Sequence, residues 1–164
     1  MERTPVLFIG HGSPMNAIEE NEFSQKWAEL GKTLAKPPAV LCISAHWYTH
    51  DTRVNDAQEP RMVYDMYGFP DELYRVRYPA PGSPQTAGKV EELLGSAVQV
   101  DNNWGIDHGT WSVLRRVFPG ADVPLLQLSV NADAAFEDHF ALGRMLRPLR
   151  EQGVMIVGSG NIVH

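Results

Sequence analysis

Apolar residues in this chain come in short unbroken runs, and several of those runs end beside a histidine. Residues 39–47 are near-continuously apolar and deliver His46 at their end. A run of that kind fits a strand buried on both faces, as in a parallel sheet packed between helices. Residues 5–10 form another run, followed at once by His11, and residues 154–160 lead to His164. Residues 123–130 read as a further strand and 97–100 as a short one, with His108 a Gly/Asp/Asn-rich loop beyond it. If these strands are parallel neighbours, their histidines converge on one rim, at the carboxyl ends where open α/β sheets bind ligands.

Between the runs lie helical patterns. Phe23, Trp27, Leu30 and Leu34 recur at spacings of three and four, which predicts an amphipathic helix over 19–34, stopped by Pro37-Pro38. With its flanking strands it makes one βαβ unit, whose crossover should be right-handed. Ser83-Pro84 opens a helix to about residue 94, closed by Gly95. A helix over 110–117 ends at Pro119-Gly120, and one over 134–152 is kinked or broken by Pro148. Residues 48–84 lack long periodic segments: a short strand at 53–57, a short helix at 71–76 and a rigid turn at 79–84 punctuate an aromatic-rich stretch that reads as ordered, either as a flap or, for most of its aromatics, through ordinary packing.

These elements predict one α/β domain over residues 1–164, a mostly parallel central sheet with helices on both faces and a metal site at the carboxyl ends of its strands. After the last strand the chain reaches His164 and stops with no covering helix, so it reads as C-terminally truncated. The uncovered strand leaves room for another chain, as in a homo-oligomer, or for further polypeptide.

Composition narrows the function. Hydrophobic residues make up 43% of the 164 and charged residues 21%, which excludes disordered and fibrous classes. A formal charge of -6 without a basic cluster argues against nucleic-acid binding. No apolar run approaches the roughly 20 residues of a membrane span, and the start lacks a signal peptide's apolar stretch, so a soluble cytoplasmic protein is expected. A single cysteine, Cys42, rules out an internal disulfide and all Cys-based zinc motifs, and its place inside a strand makes it a core residue.

Among the six histidines, His50 in a turn and His139 in a helix carry no signal beyond ordinary hydrogen bonding. His11, His46 and His164 share strand-end placement, which independent core histidines have no reason to repeat. Imidazoles suit Zn, Fe and Cu. Asp107 either orients His108 or caps the helix that follows. Gly158-Ser159-Gly160 begins a dinucleotide pattern that fails at Val163.

Five segments, His11 to Asn16, Ser44 to Trp47, Tyr78 to Pro84, Gly105 to Trp111 and Gly158 to His164, together resemble the 4,5-DOPA extradiol dioxygenase family of class III ring-cleavage enzymes. The resemblance implies an α/β fold with a non-haem Fe(II) or Zn(II) centre, and a small catechol-type substrate cleaved with O2. It implies that His11 and His46 are metal ligands. His164 matches a histidine that either approaches the metal or acts as base, and His108 one that contacts substrate or oxygen, so His108 and His164 are the expected catalytic residues. Family members carry a further Glu or His ligand in a part this sequence does not include. Two other readings stand beside it: a class II tetrapyrrole chelatase, which also has a His-Gly-Ser turn after its first strand, and a non-catalytic metal-binding scaffold of the same fold.

Overall fold

Period-two alternation along the strands sorts side chains onto two faces, and each face finds its own helices. The computed structural model describes residues 3–162. Within them the strands are β1 (Val6–Gly10), β2 (Val40–Thr49), β3 (Arg53–Val54), β4 (Gln99–Val100), β5 (Leu125–Asn131) and β6 (Met155–Gly160). The helices are α1 (Glu22–Thr33), α2 (Asp71–Tyr74), α3 (Pro84–Leu94), α4 (His108–Val117), α5 (Phe136–Met145) and α6 (Pro148–Glu151). The sheet order is β1-β6-β2-β5-β3-β4, parallel throughout except where β3 meets β5.

Val40, Cys42, Leu125, Met155 and Val157 point to one side, where Trp27 of α1 and Trp111, Leu114 and Val117 of α4 cover them. Leu41, Leu126, Leu128 and Ile156 point to the other, against Ala87, Val90 and Leu94 of α3 and Leu149 of α6. Helices on both faces follow from strands that begin with several consecutive apolar residues, as at 40–43 of β2 and 155–157 of β6.

Local chemistry trims the elements predicted from sequence. α1 starts at Glu22 because Asn21 caps it: its side chain accepts from the backbone N–H of Phe23 and Ser24, and Ser24 Oγ accepts from the Asn21 N–H. The strand at 97–100 shrinks to two residues because Gly95–Ala97 form a 3-10 turn with Gly95 at φ +55°. Residues 53–57 pair only at Arg53–Val54, and the helix at 71–76 is a single turn. Pro148 divides the helix predicted over 134–152 into α5 and α6, since a proline without an N–H begins a helix more readily than it continues one.

α5 buries none of its residues, leaving Phe136 and Phe140 exposed, and Phe8 of β1 is open on the same side. An apolar groove of about 690 Å³ lies there, lined by Val6, Phe8, Ile43, Phe140, Leu142 and Ile156. No described helix is long and apolar enough to cross a membrane.

Cys42 sits fully buried under α4, with the Thr110 hydroxyl 3.2 Å from its sulfur. Burial pushes its thiol pKa up to about 12, so almost no thiolate forms near neutrality. Native protein treated with iodoacetamide at pH 8 should therefore stay unmodified at Cys42, and denatured protein should react fully. Mass spectrometry separates the two cases, and rapid native labelling would show that the strand opens.

Candidate metal centre

Strand phase puts the first two histidines on the α4 side of the sheet. Leu7 and Ile9 face that core, and His11, two residues on, keeps the same phase as the chain leaves β1. In β2, Val40, Cys42 and Ser44 share the face, and the pairing with β5 slips between Ile43 and Tyr48. His46 lies inside this irregularity, a common device for re-aiming a side chain beside a site. β2 does not stop at His46, as the apolar run suggests, but continues to Thr49. His108 arrives as the first residue of α4 rather than in a loop before it.

The three imidazoles meet. Each offers one nitrogen, and these atoms lie within 4.8 Å of one another. His11 Nε2 and His46 Nε2 are 2.9 Å apart, and the His46 and His108 rings meet at a centroid distance of 4.0 Å, tilted by 49°. Two ligands about 2.1 Å from a shared ion at near right angles stand about 3 Å apart, so this donor set fits a divalent cation. Without one, a proton must sit between the facing nitrogens; a metal would replace it. His11 and His108 are buried, and His46, with 27% of its side chain exposed, forms the open side.

Ser159 fixes the His11 tautomer. Its hydroxyl donates to the Gly109 carbonyl, so toward His11 Nδ1, 3.0 Å away, its oxygen can only accept. His11 therefore carries its hydrogen on Nδ1 and turns the Nε2 lone pair to the centre. This contact needs α4 close to the sheet. A Cβ on Gly109 would fall 2.8 Å from Ser44 Oγ and 3.0 Å from His46 Cδ2.

Asp65, which no motif or spacing marks out, stands between the other two histidines. One carboxylate oxygen is 2.9 Å from His108 Nδ1 and accepts from the His108 backbone N–H at 3.0 Å; the other is 3.4 Å from His46 Nδ1. Burial raises its pKa, but the His108 side chain and backbone N–H outweigh that and hold the carboxyl below its usual range. Among the residues around it, Tyr64 and Phe69 pack on the core while Tyr67 is exposed. The order of this stretch and the packing role of most of its aromatics were legible; its acid was not.

Asp107 corrects both sequence readings. Its side chain makes no capping bond to α4, and its hydrogen bonds go to residues other than His108. It is fully buried and accepts from Ser44 Oγ at 2.6 Å, Trp104 Nε1 at 2.9 Å and Gln127 Nε2 at 2.9 Å, while its own N–H donates to Gln127 Oε1. His50 and His139 lie apart from the cluster, the first beside Asp133 and the second against the Asn131 carbonyl. His164 falls outside the described residues.

Comparison with known proteins places the chain among relatives. Residues 4–164 match the family model described as the catalytic LigB subunit of aromatic ring-opening dioxygenase. The chain is 47% identical, over 99% of its length and 60% of the relative's, to a protein of Escherichia coli K12 named 4,5-DOPA dioxygenase extradiol. It is 42% identical to a protein of that name from Beta vulgaris, over 96% of this chain and 62% of the other. The crystal structure of the uncharacterized protein JW3007 from E. coli K12 superimposes with a TM-score of 0.83 at 43% identity, covering 99% of this chain and 62% of that one. The chain thus spans about three-fifths of the length of these relatives.

Proposed function

The chain belongs to the family of the catalytic LigB subunit of aromatic ring-opening dioxygenases, and from that membership we propose that its centre serves extradiol cleavage of a catechol-type aromatic such as DOPA by O2. The observation that carries the proposal is the meeting of His11, His46 and His108, from three distant segments, within 4.8 Å. A chelatase reading accounts for the His-Gly-Ser turn at His11 but leaves the segments Ser44 to Trp47 and Gly105 to Trp111, which carry His46 and His108, unexplained.

In this reading His11 and His46 hold Fe(II) or Zn(II) through their Nε2 atoms, joined by His164 either as ligand or as base. When bound, the ion supplies a Lewis-acidic centre with open positions where both diol oxygens and O2 can meet. The chain's own groups do the rest. His108, buried at the helix start with Nδ1 turned to Asp65, directs Nε2 inward, where it can hydrogen-bond a diol oxygen or take its proton. His46 marks the solvent-facing side by which a flat ring enters. Trp111 of α4, fully buried with its ring against that of Tyr64, fixes the helix that carries His108.

The test is anaerobic loading of the chain with Fe(II), then addition of DOPA and air while O2 uptake and visible absorbance are followed. Uptake with a yellow product is expected. Tight Fe(II) binding without uptake, for DOPA, caffeate and protocatechuate alike, would instead leave a metal-binding scaffold.

A further inference from the structure

We propose that Asp65 is the positioning residue of this centre: lodged between His46 and His108, its carboxylate decides which ring nitrogen each imidazole presents. The assignment rests on the metal-centre reading, and three features carry it.

The first is electrostatic. An imidazole nitrogen facing a carboxylate is stable as N–H and repelled as a lone pair. With Asp65 oxygens 2.9 Å from His108 Nδ1 and 3.4 Å from His46 Nδ1, both rings are driven to carry hydrogen on Nδ1. The approach to His108 is too bent for a conventional hydrogen bond, and that nitrogen is buried from water, so the charge beside it is what sets its state. Nε2 is then the atom each ring turns to the centre: free in His108, and in His46 sharing with His11 the one proton that a metal would replace. In His46 it is this atom that faces His11 Nε2. A carboxylate behind a ligating imidazole also raises its basicity toward the metal.

The second is the helix. Asp107 occupies the position before α4 without capping it, and the first N–H of the helix goes instead to Asp65, 43 residues earlier. A negative charge at a helix start is favourable, so the contact that orients His108 also holds the helix carrying it.

The third is anchorage. Val63 donates its N–H to the Ile106 carbonyl at 2.8 Å, and the Val63 carbonyl accepts from Trp111 Nε1 at 2.9 Å. Tyr64 donates to the Val76 carbonyl at 2.6 Å. Asp65 follows directly on this pinned segment, with only 10% of its side chain exposed. A long loop without regular structure thereby delivers a fixed acid.

The experiment uses the whole chain as wild type, Asp65→Asn and Asp65→Ala. Co(II) and Zn(II) affinities are read by competition with a chromophoric chelator, and the His108 tautomer by long-range 15N NMR on metal-free protein. Wild type should show His108 with hydrogen on Nδ1. Asp65→Ala should lose that preference and bind metal about 10–100-fold more weakly, the range for losing an outer partner of a ligating histidine. Asp65→Asn keeps an oxygen for the His108 backbone N–H and so keeps the fold. Its amide hydrogens face an imidazole, however, so affinity should not return; a purely structural role predicts full rescue. Wild-type affinity and an unchanged tautomer in both variants would overturn the proposal. A wild type that binds neither ion would remove the metal-centre reading, while the tautomer shift would still decide for or against Asp65.

Discussion

Alanine at His11 or at His46 is expected to weaken Co(II) or Fe(II) binding by more than about 100-fold, beyond the loss from an outer-sphere partner. Each supplies an Nε2 to a pair only 2.9 Å apart. Removing one leaves a single well-placed nitrogen on that side, and one imidazole is a weak site. Stability should respond differently. In the metal-free chain the two rings confront each other across one shared proton, so trimming either relieves that crowding while opening a small void. Thermal unfolding should therefore move by only a few degrees without metal, and the metal-induced rise in Tm should vanish. Isothermal titration with Co(II), with unfolding followed with and without the ion, checks both halves. His139→Ala, on α5 and outside the cluster, is the control whose affinity should stay at wild type. Unchanged affinity in His46→Ala would place the metal elsewhere.

Strand-borne parts of this site could be read from sequence because β-structure carries its phase in the residue pattern. The runs at 5–10, 39–47 and 154–160 fix which residues alternate into each core, and a histidine at the end of such a run inherits a direction. Hence His11 and His46 were legible, and so were helices on both faces. The antiparallel contact of β3 was not: a two-residue strand joined to β5 through one bridge, Val54 to Leu128, leaves no periodic trace. Asp65 was hidden for another reason. It lies in an irregular stretch where orientation depends on tertiary bonds to Ile106 and Trp111, and no local spacing encodes those. Ser159 was visible as part of a failed nucleotide motif and of a family-like segment, without a role; its actual bond to Gly109 depends on how closely α4 approaches β6.

Asp107 shows how far a local reading can miss, and it carries the largest stability effect expected here. Asp107→Ala strips a fully buried acceptor from three donors at once: Ser44 Oγ, Trp104 Nε1 and Gln127 Nε2. Each buried donor left unpaired costs about 1–3 kcal/mol, and relaxation recovers part of that, so a loss of about 3–5 kcal/mol is expected. For a chain of this size that corresponds to a Tm lower by about 10 °C or more. Asp107→Asn should be far milder, about 1 kcal/mol. Its carbonyl oxygen can still accept from Trp104 and Gln127, and its amide can donate to Ser44 Oγ, which turns from donor to acceptor. The contrast between the two variants isolates the hydrogen bonds from the volume of the side chain. Because Ser44 Oγ also accepts from the His46 backbone N–H at 3.2 Å, the alanine variant should loosen His46 and lose metal affinity as well. Urea unfolding of both variants, alongside Co(II) titration, tests the prediction. Equal destabilisation by Ala and Asn would mean that the negative charge, rather than the count of acceptors, holds Trp104, Gln127 and Ser44 around this residue.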